Sequence, residues 1–242
     1  KFAKELKIYQ NPEKLLSLSL GSSETTLLQL VSAYCSFVNG GKLINPKFID
    51  RIQDSEGNTI FNSETRECEG CDQISYLSDN IPKIKSNFKQ IISKETAYQM
   101  TSILEGTVKR GTAKGLKDLN LDLGGKTGTT NKNTDTWFIG FSSNYVIGIY
   151  VGYDEPSSLG RYETGARTAM PIFKDFVKKA VKKENARPFK IPGGIKMLVV
   201  NTNTGERASY SDESIIIEAF KEKDLVNNKI QYGNIDYISK EN

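Results

Sequence analysis

Lys126, Thr127, Gly128, Thr129 and Thr130 place an ammonium and three hydroxyls around one glycine within an apparent strand. Successive strand side chains point to opposite faces, so Lys126 and Gly128 share one face and Thr127 and Thr129 the other. Paired hydroxyls beside an ammonium suit a carboxylate: the two threonines grip it, and the lysine adds positive potential and a charge-assisted hydrogen bond from the neighbouring side of the groove. Gly128 leaves backbone room for a peptide-like substrate to lie alongside as an added strand. Two competing readings exist. Gly125-Lys126-Thr127 matches the end of a nucleotide-binding phosphate loop, but the first glycine of that pattern falls on Asn120, and a helix is expected where strand-like residues follow. An ordinary edge strand with a solvated lysine is the other.

Composition narrows the chemistry. The chain contains no histidine, so catalysis must rest on Lys, Ser, Thr, Tyr or carboxylates, and neither a metal nor a cofactor is expected. Its 33 basic and 29 acidic residues are scattered without a dense basic block, which argues against nucleic acid as a partner. With 242 residues, 37% hydrophobic and 26% charged, it has the balance of a globular protein with one or two cores. No window reaches the roughly 18 apolar residues of a spanning helix, and KFAKELKIYQNPEK is too charged for a signal peptide. Any anchor or export signal is therefore expected outside the chain. Lys1 in place of Met, before a segment that reads as the end of a helix, suggests a fragment or processed product. Cys68 and Cys71, in a polar loop, suit a disulfide in an oxidising compartment; Cys35 falls on an apolar helix pattern, as a small buried residue.

The elements that must position these residues follow from periodicity. Apolar residues from Leu27 to Val38 recur at helical spacing and predict a helix over about 25–38, with Ser22, Ser23 and Thr25 offering N-cap oxygens and Asn39-Gly40-Gly41 ending it. Lys42–Ile52 and Thr59–Phe61 read as strands around a turn at 54–58. Residues from about 62 to 92 read as an inserted loop. A second helix is predicted over 94–109, capped by Ser93, with Ala97, Met100, Ile103, Leu104 and Val108 on one face. Strands at 125–130, 136–142 and 145–153 predict an antiparallel meander, the last two linked by Ser143-Asn144. Pro171 opens a third helix whose inner side carries Ile172, Phe173, Phe176, Val177 and Ala180. Trp137 reads as core. The fold class is α+β, an antiparallel sheet covered by helices. Residues 1–185 form this unit and 186–242 a small β-rich tail, with a hairpin built on Lys196–Asn201 and the turn Asn203-Thr204-Gly205; the polar end, 222–242, reads as poorly ordered.

The run GGKTGTTNKNTDTWFIGFSSNYVIGIYVGYDEP resembles the K-T-G strand, hairpin and following strand of bifunctional, class A penicillin-binding proteins. Upstream, SLSLGSSETTLLQLVSAYCSFVNGGKLINPKFI and TAYQMTSILEGTVKRGTA are similar to family segments, as are ETGARTAMPIFKDFVKKA and SIIIEAFK downstream. The resemblance implies the C-terminal part of a transpeptidase domain with a partial penicillin-binding or serine β-lactamase-like fold. It further implies a serine D,D-transpeptidase that cross-links peptidoglycan stem peptides at the periplasmic face of the inner membrane and is acylated by β-lactams. Lys126, Thr127 and Thr129 then hold the terminal carboxylate, and the Thr129 N–H supplies half of the oxyanion hole. Glu163-Thr164-Gly165 matches a family loop without an assigned role.

Three motifs build such a site in the order S-x-x-K, S-x-N, K-T-G. Ser86-Asn87-Phe88-Lys89 spells the first but follows Pro82 in a polar stretch, out of family order and without a helical pattern to bring Ser and Lys together. Ser142-Ser143-Asn144 spells the second but follows the K-T-G strand. The chain alone is therefore expected neither to turn over substrate nor to bind penicillin covalently. The alternative from another class is a non-catalytic cell-wall binding or scaffold module.

Overall fold

The computed structural model describes residues 1–71, 81–182, 184, 186–226, 229 and 230. Helix α1 (Phe2–Glu5) and a 3-10 turn (Leu16–Leu20) precede α2 (Leu27–Val38). Two antiparallel hairpins follow, β1 (Arg51–Gln53) with β2 (Thr59–Asn62) and β3 (Cys68–Glu69) with β4 (Lys83–Ile84). Helix α3 (Lys94–Lys109) and a 3-10 helix (Lys114–Leu119) lead into the meander β5 (Gly124–Thr129), β6 (Asp135–Phe141) and β7 (Val146–Gly152). A π-helical turn (Gly165–Ala169) feeds α4 (Met170–Ala180). The hairpin β8 (Ile195–Asn201) with β9 (Ile215–Lys221) and the short pair β10 (Leu225–Val226) with β11 (Lys229–Ile230) complete the described chain.

The meander is the centre of the fold. Its strands run antiparallel in the order β5-β6-β7, which leaves β5 on an edge. Phe138, Ile139 and Phe141 of β6 are all buried, so both faces of the sheet are covered. On one face Phe138 meets Phe173 of α4 edge to face at 5.0 Å, inside a core that includes Leu116, Leu119, Leu123 and Val177. On the other, Gly148 sits against Leu27 and Val31 of α2. Helices and rings press so closely on the sheet that a methyl group at Gly140 would collide with the Phe173 ring. This is the expected α+β arrangement, an antiparallel sheet covered by helices.

Several local expectations are corrected. Thr26, not Ser22, Ser23 or Thr25, caps α2: its hydroxyl accepts from the Gln29 N–H at 3.2 Å while the Gln29 side chain accepts from the Thr26 N–H. The Thr25 hydroxyl instead donates to the Ile8 carbonyl at 2.9 Å. Strand pairing with β2 is confined to Arg51–Gln53 rather than Lys42–Ile52; Pro46 interrupts the stretch, having no N–H to pair, and Lys42 bridges to Gln90. On α3, Ser93 caps as expected, accepting from the Thr96 N–H at 3.2 Å, but Ile103 is 56% exposed and Thr101 and Gly106 are buried with Ala97, Leu104 and Val108. On α4 the buried ridge is Met170, Phe173 and Val177, while Ile172 and Phe176 are each 48% exposed.

The segment read as an inserted loop carries the β3–β4 hairpin and a Cys68–Cys71 disulfide; its residues 72–80 lie outside the described ones. Cys35 is free and half-buried, and burial pushes its thiol pKa up. In the tail, the turn at Asn203–Gly205 forms, but it brings back only Glu206–Ala208 against Val199–Asn201. The full partner of β8 is Ile215–Lys221. That hairpin leans on α3, where Gln99 donates to the Ala219 carbonyl at 3.0 Å and Arg110 pairs with Glu218. Of the end read as poorly ordered, Glu222–Asp224 forms a 3-10 turn before β10 and β11, and the rest lies outside the described residues.

Candidate functional site

Register places the five residues of the cluster. Lys126 pairs with Ile139, Thr127 with Phe138, Gly128 with Trp137 and Thr129 with Thr136. Lys126 and Gly128 thus lie on the α2 side of the sheet, and Thr127 and Thr129 on the α4 side. The backbone of β5 alternates as well. Thr107 of α3 donates its hydroxyl to the Gly125 carbonyl at 2.8 Å, and the Thr130 N–H donates to the Asp135 carbonyl at 3.2 Å. Residues 124, 126 and 128 therefore face β6, and the N–H and C=O groups of Thr127 and Thr129 face the open edge. At that edge the Lys126 ammonium donates to the Thr127 carbonyl at 2.7 Å. Lys126 and Thr129 are exposed, and Thr127 and Gly128 are half-buried.

The structure separates Thr130 from the other four. Its hydroxyl accepts from the Asp135 N–H at 2.9 Å and lies 2.9 Å from the Thr134 hydroxyl, closing the β5–β6 turn in which Lys132 and Asn133 adopt positive φ. Gly125-Lys126-Thr127 lies within β5, which continues as paired strand to Thr129 where a phosphate loop would begin an α-helix, so a phosphate loop is excluded. Trp137 is half-buried rather than core: its indole N–H donates to the Asp135 carboxylate at 2.8 Å, and its ring stacks edge-on against Tyr150 at 4.8 Å.

One contributor was not read from the sequence as part of the site. The N–H of Gly165, the last residue of Glu163-Thr164-Gly165, donates to the Thr129 hydroxyl oxygen at 3.1 Å. Gly165 is buried over β5 and β6, where a Cβ would stand 2.5 Å from the Trp137 carbonyl oxygen and 2.7 Å from that of Gly128. Only glycine allows this approach. The signal was present, since a Gly in a loop that returns to a sheet often marks close backbone contact. The loop is fixed on both sides: Asn133 donates to the carbonyls of Gly160 and Arg161 at 3.0 Å, and the Thr168 hydroxyl bonds the Glu163 carboxylate.

The other candidate motifs fall elsewhere. Ser86–Lys89 is exposed, irregular backbone with Asn87 donating to the Thr65 hydroxyl at 2.9 Å, so Ser86 and Lys89 are not stacked by a helical turn. Ser142–Asn144 forms the β6–β7 turn, with the Ser142 N–H donating to the Tyr145 carbonyl at 2.9 Å. Among the described residues no group of three or more His, Cys, Asp or Glu is arranged to hold a metal, and no helix is long and apolar enough to cross a membrane.

An antiparallel meander with Lys126, Thr127 and Thr129 along its edge strand has clear relatives. Residues 5–178 match the penicillin binding protein transpeptidase domain. Penicillin-binding protein 1A of Rickettsia bellii (strain RML369-C) is 40% identical over 249 residues, covering 98% of this chain and 31% of that protein. Its counterpart in Rickettsia prowazekii (strain Madrid E) is 41% identical over 237 residues, covering 97% of this chain and 29% of that protein. The crystal structure of penicillin-binding protein 1A from Haemophilus influenzae superposes with a TM-score of 0.77 at 29% identity, over 95% of this chain and 36% of that one. The penicillin V complex of PonA1 from Mycobacterium tuberculosis shares the fold, with a TM-score of 0.54 at 22% identity over 73% of this chain and 43% of that one. On the extent of the domain match and of these identities, the chain belongs to the family of penicillin-binding protein transpeptidase domains.

Proposed function

We propose that this chain supplies the carboxylate-binding strand and half of the oxyanion hole of a serine D,D-transpeptidase that cross-links peptidoglycan stem peptides and is acylated by β-lactams. The observation that carries the reading is the open edge of β5, where the Lys126 ammonium and the outward N–H of Thr129 lie, with the side chains of Thr127 and Thr129 on the adjoining face. Lys126, Thr127 and Thr129 hold the carboxylate that ends a stem peptide or substitutes a β-lactam ring. The Thr129 N–H meets negative charge that develops on the carbonyl oxygen only as the serine attacks, so it lowers the barrier rather than binding the ground state. Losing such a donor typically costs about 3–4 kcal/mol of barrier.

The serine, its activating lysine and the S-x-N residues come from a part of the protein outside this chain, which spans 31% of the Rickettsia bellii relative. Exposure of Ile172 and Phe176 on α4 fits a sheet whose remaining helices belong to that part. The site works on the outer face of the cytoplasmic membrane, where its substrate is and where a Cys68–Cys71 disulfide is stable, and the protein is anchored by a segment outside this chain.

The test is labelling by a fluorescent penicillin. The full-length coding product is expected to form a covalent adduct that survives denaturation, and this chain alone is expected to form none. An unlabelled full-length product leaves a scaffold role and removes the enzymatic one.

A further inference from the structure

The hydroxyl of Thr129 is held by a separate element, the loop that begins the turn before α4. A hydroxyl has one proton to donate and two acceptor positions. The Gly165 N–H fills an acceptor position from the loop side at 3.1 Å. A proton pointing the same way would meet that N–H head-on, so the hydroxyl proton and the one remaining acceptor position are turned away from the loop. With half of its accepting capacity used, the hydroxyl is biased toward donating to whatever lies along β5.

Gly165 has little freedom to release it. A Cβ at this position would collide with the carbonyl oxygens of Gly128 and Trp137 at 2.7 and 2.5 Å. Its neighbours are held by the Glu163–Thr168 bond, and the π-helical turn it begins runs directly into α4, whose Phe173 and Val177 are locked in the core.

We propose that the backbone N–H of Gly165 is a specificity-determining positioning group: by occupying one of the two acceptor positions of the Thr129 hydroxyl, it biases that hydroxyl toward donating and so strengthens the preference of the site for a substrate ending in an anion over one ending in a neutral ester. This rests on the carboxylate-binding reading above. A hydroxyl with both acceptor positions open suits a donor or an acceptor alike and discriminates less; one biased toward donating rewards the charged acceptor, because hydrogen bonds to ionised groups are about twice as strong.

The experiment uses the full-length product with benzylpenicillin and its carboxyl methyl ester, each competing with fluorescent penicillin, and reads the ratio of their acylation rates. Thr129→Val is expected to lower the acid-to-ester ratio about tenfold, the value of one charge-assisted bond, and Thr129→Ser to retain it. Gly165→Ala is expected to lower the ratio like Thr129→Val. Thr168→Val, which cuts the Glu163 tie without adding volume beside β5, is expected to move it the same way and decides the matter if Gly165→Ala shows no cooperative melt. A general structural defect slows both probes together and leaves the ratio alone. If Thr129→Val moves the ratio and folded Gly165→Ala and Thr168→Val do not, the latch is wrong and the carboxylate reading stands. If Lys126→Ala and Thr129→Val also leave it unchanged, or the wild type reacts with neither probe, the carboxylate reading fails and takes the latch with it.

Discussion

Lys126 turns its ammonium onto the carbonyl of Thr127, its own neighbour, at 2.7 Å. That carbonyl lies at the unpaired edge of β5, so in the proposed site the lysine stands on the line along which an extended substrate would pair. Binding a carboxylate exchanges a neutral acceptor for a charged one, and the exchange is favourable because the charged partner makes the stronger bond.

Lys126→Ala in the full-length product is expected to slow acylation by fluorescent penicillin about 10- to 100-fold, the range of one hydrogen bond to a charged group. The exposed side chain supports no buried contact, so the melting temperature should not move. Timed labelling and a thermal melt check both halves, and labelling at the wild-type rate removes Lys126 from the carboxylate grip.

Phe173→Ala and Phe176→Ala separate the two apolar ridges of α4. Phe173 is fully buried and stacked on Phe138, and its truncation is expected to cost about 3–5 kcal/mol. Phe176 is 48% exposed, and in this chain its truncation should cost less than about 1 kcal/mol. Urea denaturation of this chain measures both, and equal costs contradict the observed orientation of α4.

That pair also shows why part of the fold was legible in the sequence and part was not. Ile172 with Phe176 and Phe173 with Val177 are both apolar pairs at i, i+4, one residue out of phase. Periodicity announces the helix, but which ridge meets the sheet is set by the π-helical turn before it, which has no strong sequence signature. The meander and α3 were readable because Asn-bearing turns and a single Ser cap bounded them. The cap of α2 was not, because Ser22, Ser23, Thr25 and Thr26 all carry hydroxyls and only the reciprocal Gln29 distinguishes Thr26. Lys126 to Thr129 declared themselves as a compact cluster, whereas Gly165, 36 residues after Thr129, acts through its backbone and offers no side-chain chemistry to notice.

Acid is expected to weaken the protein in a defined window. Hydrogen bonding from Arg66 holds the Glu64 carboxyl at about 2 against an ordinary 4.5. Asn58 lowers Asp54, and Lys174 lowers Asp118, both from 3.8. Depressed carboxyl values mean that these groups contribute stability above their unfolded values and lose it as pH falls through the folded ones. The melting temperature should therefore be flat from pH 7 to about 5 and decline below about 4.5. Lys174→Met removes the Asp118 share, and a curve identical to wild type shows that this ion pair contributes nothing.

The cysteines give a counting experiment. Of three cysteines, two are bonded to each other, so unfolding without reductant should release one titratable thiol per chain. In the native state that thiol, Cys35, should react slowly with Ellman's reagent, because burial raises its pKa and shields it. Cys68→Ser with Cys71→Ser should leave the core intact, since the bond closes a loop with a sequence separation of only 3 in an exposed hairpin and short loops gain least from cross-linking, about 2 kcal/mol at most. Three thiols in the unreduced, unfolded protein contradict the bond.

The ring of Phe173 lying against the bare backbone of Gly140 also constrains how this protein can drift. Position 140 cannot acquire even a methyl group while the ring is in place, and the ring cannot shrink first without opening a void behind the strand that carries Trp137. Either first step passes through a less stable intermediate, so in an evolving gene the two positions behave as one inherited unit. The hairpin β1–β2, whose strand residues are all exposed, places no such constraint on which position changes first.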